Sequence, residues 1–106
     1  MGLFDFFKHA DINEGLEEYK RSAGAVLLDV RSEQEYKNGH IPGSINVPLP
    51  YIDEVAFVAE SMDTPLFVYC HSGARSRQAA SLLEYKGYSN VKNIGGIAAY
   101  FGNLAH

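Results

Sequence analysis

The chain alternates between short unbroken apolar runs and longer stretches in which apolar residues recur on one side. Ala25-Val26-Leu27-Leu28-Asp29-Val30 and Leu66-Phe67-Val68-Tyr69 are apolar runs of strand length, the pattern of strands buried on both faces. Ser44–Val47, ended by Pro48, and Asn90–Ile94 predict two shorter strands. Between them lie helical patterns. Glu14–Ser22 carries Leu16 and Tyr19 on one side and closes near Gly24. Ser32 caps a short helix through Tyr36, with Glu35 three residues on as in a capping box. Ile52–Ser61 places Ile52, Val55, Ala56 and Ala59 on one face of an expected α-helix. Ser76–Lys86 predicts a helix that stops at Gly87, and Ile97–Phe101 a short last one after Gly95-Gly96. Gly39-His40-Ile41-Pro42-Gly43 reads as a turn-rich loop.

Strand–helix alternation in one short chain implies an α/β domain with a mainly parallel sheet and helices on both faces. Ligands of such sheets sit beyond the carboxyl ends of the strands. Two segments with chemistry fall there: Asp29-Val30-Arg31, and Cys70 with the loop that follows it.

Length and composition narrow the picture. A chain of 106 residues, 46% hydrophobic and 21% charged, supports one compact domain with a real core and not two. The net charge of −4 argues against nucleic acid as a partner, because phosphate backbones call for a basic surface. No stretch approaches the roughly 20 apolar residues that span a bilayer. Residues 1–10 are apolar but lack the basic and long apolar regions of a secretory signal, and Phe6 stands where a myristoylation motif wants Ser or Thr. This segment is expected to pack back on a domain formed by residues 11–106, in the cytoplasm. A single cysteine excludes an internal disulfide and a C-x-x-C pair. His9, His40, His71 and His106 have no metal-ligand spacing, so neither a metal nor another cofactor is expected.

A lone thiol is usually buried and inert, but the surroundings of Cys70 differ. Cys70-His71-Ser72-Gly73-Ala74-Arg75-Ser76 joins a buried strand to a helix that is expected to begin near Ser76. Backbone N–H groups of such a loop can point inward at a helix N-terminus, which favours an anion and lowers a thiol's pKa. From Cys70 to Leu83 the ionisable neighbours are His71, Arg75 and Arg77, with no carboxylate. Gly73 permits a tight turn or a close backbone approach.

Asp29-Val30-Arg31, the run His40 to Pro48, Cys70-x-x-Gly73-x-Arg75-Ser76 and Gly95-Gly96, in that order, resemble the rhodanese-like domain over residues 11–104. Tyr100 stands where many members have Trp. The resemblance implies a three-layer α/β/α fold with a five-stranded parallel sheet, and Cys70 at the bottom of a cradle-shaped loop. It also implies a sulfurtransferase reaction. The Cys70 thiolate attacks the outer sulfur of a donor such as thiosulfate, releases sulfite, and passes the persulfide sulfur to a thiol or cyanide acceptor. The amides of His71, Ser72, Gly73, Ala74, Arg75 and Ser76 would stabilise the sulfur's charge. Arg75 would hold the loop's shape or draw in the anionic donor. Related phosphatases have one more residue between their cysteine and arginine, whereas four residues separate Cys70 from Arg75.

Other residues have two readings each. Asp29 accepts loop N–H groups and Arg31 pairs with a carboxylate such as Glu35, or both support the pocket rim. His71 assists proton transfer or points away from the nucleophile. His40 is expected to make a loop hydrogen bond. As for function, a sulfurtransferase enzyme and a persulfide carrier serving a sulfur-relay protein use Cys70 identically. A non-catalytic interaction module is disfavoured because Cys70, Gly73 and Arg75 are all present.

Overall fold

A computed structural model describes residues 10–106. The chain runs α1 (Ile12–Arg21), β1 (Val26–Asp29), α2 (Glu33–Lys37), β2 (Ile45–Asn46), a 3₁₀ segment (Leu49–Phe57), β3 (Leu66–Cys70), α3 (Ala74–Tyr85), β4 (Val91–Gly96) and a last 3₁₀ turn (Ile97–Ala99). All strand pairs are parallel and the order is β2-β1-β3-β4. The expected α/β fold with both faces covered is therefore present. Every residue of β3 is buried, which explains its unbroken apolar sequence. Leu66, Val68 and Cys70 join Leu28 and Val30 in a core with Ala79 and Leu83 of α3. Phe67 and Tyr69 point the other way, into a core with Leu27, Ile94 and the α1 residues Ile12 and Leu16. The sheet is thus sandwiched, with Cys70 facing the α3 layer.

The described residues contain four strands rather than the implied five. Their chain enters at Ala10 and passes directly into α1, so no strand precedes β1 among them. The apolar segment expected to pack on the domain lies, except for Ala10, outside the described residues.

The local signals of the shorter elements are borne out. Ser32 and Glu35 form a reciprocal capping box at α2, and Gly87 (φ 114°) follows the end of α3. His40 Nδ1 lies 2.9 Å from the Tyr36 carbonyl oxygen, and its ring stacks on Tyr36 at 3.7 Å. The helix expected over Ile52–Ser61 is instead 3₁₀, begins three residues earlier and breaks at Tyr51 (φ −113°, ψ 26°). Pro48 and Pro50 supply no N–H at its start, and i→i+3 bonds such as Tyr51 N–H to the Pro48 carbonyl close its turns. Three residues per turn bring Leu49, Ile52, Val55 and Val58 onto the core, while Ala56, expected inside, is exposed.

Candidate active site

β1 and β3 are neighbours, and the chain leaves them in opposite directions, toward β2 and β4. Their carboxyl ends therefore form the crevice where this type of sheet receives ligands. The two segments singled out in the sequence meet there.

Cys70 is the last residue of β3 and is only 1% exposed. The chain then turns through His71 and Ser72 to Gly73, whose φ of 103° makes it the N-cap of α3. The helix accordingly starts at Ala74, two residues before the expected Ser76. The left-handed turn brings the Gly73 N–H to 3.0 Å from Cys70 Sγ, and the hydroxyl of fully buried Ser76 comes to 3.4 Å. Burial pushes the Cys70 thiol up. The Ser76 hydroxyl and the backbone N–H groups of Ser76, Gly73 and Ser72 pull it down by more, so the net shift favours the thiolate. The inward backbone N–H groups are those expected from the sequence; the Ser76 hydroxyl is an added donor, and the cationic side chains expected beside them are not among the main causes of the shift.

Arg75 is engaged elsewhere. Its guanidinium grips Glu35 of α2 in a two-pronged bridge, with Nη1 to Oε1 at 2.6 Å and Nη2 to Oε2 at 3.0 Å. Glu35 Oε1 also accepts the Ser32 N–H, so one carboxylate joins the cap of α2 to the first turn of α3. Arg75 holds the Glu35 carboxyl at about 2, below its usual 4.5. A carboxylate with a depressed pKa contributes its stability fully above the ordinary value and loses it as pH falls through the folded one. This bridge is therefore intact above about pH 4.5 and opens as pH falls toward 2.

The pairing of Arg31 with Glu35 is not formed. Arg31 instead binds Asp29 (Nη2 to Oδ2, 2.7 Å), donates its backbone N–H to Asp29 Oδ1 at 2.9 Å and reaches the Gly39 carbonyl at 2.7 Å. Both side chains are buried, so the pair braces the turn after β1 from within and presents no free charge to a ligand. His71 is exposed, and its carbonyl accepts the Ala98 N–H at 3.1 Å.

Three residues outside the candidate site set complete the loop's support. Glu35 is the first. Asn93 is the second: its Oδ1 accepts the Ser76 hydroxyl at 2.7 Å and the Gly95 N–H at 3.0 Å, while its Nδ2 donates to the Gly73 carbonyl at 3.3 Å. A register shift in β4, where Val68 pairs with Asn93 but Tyr69 with Gly95, places Asn93 under α3 and sends Ile94 to the opposite core. Gly96 is the third. It pairs with Cys70, and a Cβ there would lie 2.2 Å from the His71 carbonyl oxygen. The Gly95-Gly96 pair was visible in the sequence as a turn signal, but its use as a floor for the loop was not.

Two outcomes test this arrangement. Ser76→Ala should move the midpoint of Cys70 alkylation upward in pH, since a donor to the thiolate is lost; an unchanged midpoint would show that the backbone donors suffice. Arg75→Ala and Glu35→Gln should reduce sulfur transfer alike, and equally with thiosulfate and with a neutral persulfide donor, and the double variant should lose little more than either single one. A selective loss with thiosulfate on Arg75→Ala would instead assign Arg75 to donor binding.

Residues 11–103 match the rhodanese-like domain family. The chain belongs to it. The thiosulfate sulfurtransferase PspE of Escherichia coli is 37% identical over 71 residues, covering 66% of this chain and 68% of its own length. The thiosulfate sulfurtransferase GlpE of Pseudomonas savastanoi is 39% identical over 77 residues, covering 72% and 71%. An Escherichia coli rhodanese solved with anions superposes with a TM-score of 0.72 at 30% identity, over 76% of this chain and 96% of that one. Other relatives are larger: this chain spans only 30% of the tRNA uridine(34) hydroxylase of Buchnera aphidicola. The rhodanese-like fold is therefore shared with small sulfur-transfer proteins and with a segment of longer enzymes.

Proposed function

We propose that this rhodanese-like domain is a sulfurtransferase that carries a sulfane sulfur on Cys70. The observation that carries the reading is the thiol's setting: a single buried sulfur, with the Gly73 N–H at 3.0 Å and the Ser76 hydroxyl at 3.4 Å, at the end of a parallel strand. Donors converging on one sulfur favour the thiolate as nucleophile, and the same donors favour the charged persulfide that follows. The thiolate attacks the outer sulfur of thiosulfate. The new S–S bond forms as the old one breaks, and the electron pair leaves with sulfite. An acceptor thiolate or cyanide then attacks the outer sulfur of Cys70–S–S⁻, and the electron pair of the broken bond returns to Cys70 Sγ. No metal, redox partner or general base is required.

The relatives named as thiosulfate sulfurtransferases, matched over most of their length, support thiosulfate as donor. A persulfide from a protein partner would enter by the same steps, making the chain a relay. An unpaired reactive thiol suits a reducing compartment such as the cytoplasm. Among the described residues no helix is long and apolar enough to cross a membrane. Intact-protein mass spectrometry tests the proposal. Thiosulfate should add the mass of one sulfur atom to the protein, a small thiol should remove it, and alkylation of Cys70 should prevent it. A protein that stays unmodified by thiosulfate and by a persulfide donor would overturn it.

A further inference from the structure

A groove of about 990 Å³ opens beside the Cys70 loop, between α2, the turn after β2 and the 3₁₀ segment. Its size is that of pockets which hold small organic molecules. Val30 and Arg75 both line it; Val30 belongs to the same core as Cys70, and Arg75 to the first turn of α3. The groove thus lies on the sheet face toward which Cys70 points. We propose that it seats the body of the sulfur acceptor, and that the acceptor it favours is a thiol with an apolar body and a positive or zero charge. This rests on the persulfide reading of Cys70.

The need for such a seat follows from the burial of the nucleophile. Cys70 is 1% exposed, so a bulky acceptor cannot lie over it. An acceptor must reach the outer sulfur with a thiol on a narrow stem while the rest of the molecule rests outside. Donor and acceptor bind in turn, and the loop's inward donors serve the sulfur itself, leaving recognition of the acceptor to other surfaces.

The lining sets the chemical class. Tyr36, Pro48, Leu49, Pro50 and Tyr51 give apolar walls, and Tyr51 is 59% exposed although aromatic. The charges do not favour an anion. Arg75 is already neutralised by Glu35, and Glu33 is paired with Lys37 at 2.9 Å. Glu54 also lines the groove and is in no ion pair among the described residues. The unbalanced charge facing an acceptor is therefore negative, which suits an ammonium group and repels a carboxylate.

The test compares small acceptors on protein preloaded with thiosulfate: cysteamine (cationic), 2-mercaptoethanol (neutral), mercaptoacetate (anionic) and benzyl mercaptan (aromatic). Glu54→Lys and Tyr51→Ala alter exposed side chains outside the sulfur chemistry and should leave loading unchanged by mass. For Glu54→Lys the KM for cysteamine should rise about fivefold and that for mercaptoacetate should fall by a similar factor, with 2-mercaptoethanol unmoved and the contrast shrinking in high salt. Tyr51→Ala should raise the KM for benzyl mercaptan about threefold relative to 2-mercaptoethanol, as expected for partial loss of one apolar wall. Variants that load normally but keep the wild-type order of acceptors would overturn the groove assignment alone. Failure of the wild type to load would overturn the persulfide reading beneath it.

Discussion

Cys70→Ala is expected to reduce sulfur loading and transfer to the uncatalysed background. It is the chain's only cysteine, so no second thiol can take over the covalent step. The same substitution should also lower stability. Sγ receives the Gly73 N–H at 3.0 Å in a nearly closed site, and a methyl group there leaves that donor without its acceptor. An unsatisfied buried donor costs about 1–3 kcal/mol. Cys70→Ser keeps a small acceptor at the position and should recover much of the stability with none of the transfer. Denaturant midpoints of the two variants, set beside their single-turnover transfer, separate the two roles. Transfer above background in purified Cys70→Ala would remove the persulfide mechanism, whatever the stability shows.

Gly96→Ala is expected to be nearly as damaging, although Gly96 carries no chemistry. A Cβ at this position would stand 2.2 Å from the His71 carbonyl oxygen, 2.7 Å from the His71 carbonyl carbon and 2.6 Å from the Ser72 Cα. All three are backbone atoms of the loop above Cys70, and none can swing aside as a flexible side-chain tip would. Either the loop lifts or β4 slips away from β3. A lifted loop carries the Gly73 N–H off the sulfur, and loss of one such preorganised donor lowers a rate by about 10²–10³. The expected result is a transfer rate lower by that factor, with the alkylation midpoint of Cys70 shifted upward and the parallel sheet still evident by circular dichroism. A variant within threefold of wild type would show that the loop does not rest on β4.

The residues that were readable from the sequence are those whose evidence is local. Ser32 and Glu35 are three residues apart and announce a capping box, which α2 has. The apolar run ending at Tyr69 announces a strand covered on both faces, and Cys70 follows it directly. Gly73 announces a turn because only a residue without Cβ adopts φ of 103° freely. Even the local reading failed where two local rules competed. The spacing of Ile52, Val55, Ala56 and Ala59 suits an α-helix, and that of Leu49, Ile52, Val55 and Val58 a 3₁₀ helix; the segment breaks at Tyr51 and winds as 3₁₀ with Ala56 outside.

The partners of the charged groups were not readable, because each choice depends on distance in space. Glu35 lay within four residues of Arg31 and seemed its natural carboxylate. Arg31 has a nearer one in Asp29, the last residue of β1, and the two form a buried pair at 2.7 Å. Glu35, so released, meets Arg75 forty residues away. That meeting exists only because β1 and β3 are adjacent in the sheet. It turns Arg75 from a free cation near the thiol into a strut between two helices. Asn93 is a similar case. Nothing about an Asn in a short strand marks it as the residue that orients Ser76, seventeen positions earlier, until the register shift in β4 turns it toward α3.

The alternation of runs was therefore enough for the α/β class, and the order of four short motifs was enough for the rhodanese-like family, within which Cys70 is the thiol proposed as nucleophile. These follow from periodicity and from contacts within a few residues, which a linear chain displays directly. The Ser76 hydroxyl's place at the thiol, the occupation of Arg75, the floor under the loop and the groove beside it were decided by the packing of β1, β3 and β4 side by side. Hydrogen bonds and steric contacts fade within a few ångströms, so only the folded chain, which brings residues 35, 70, 75, 93 and 96 to one end of one sheet, could assign them.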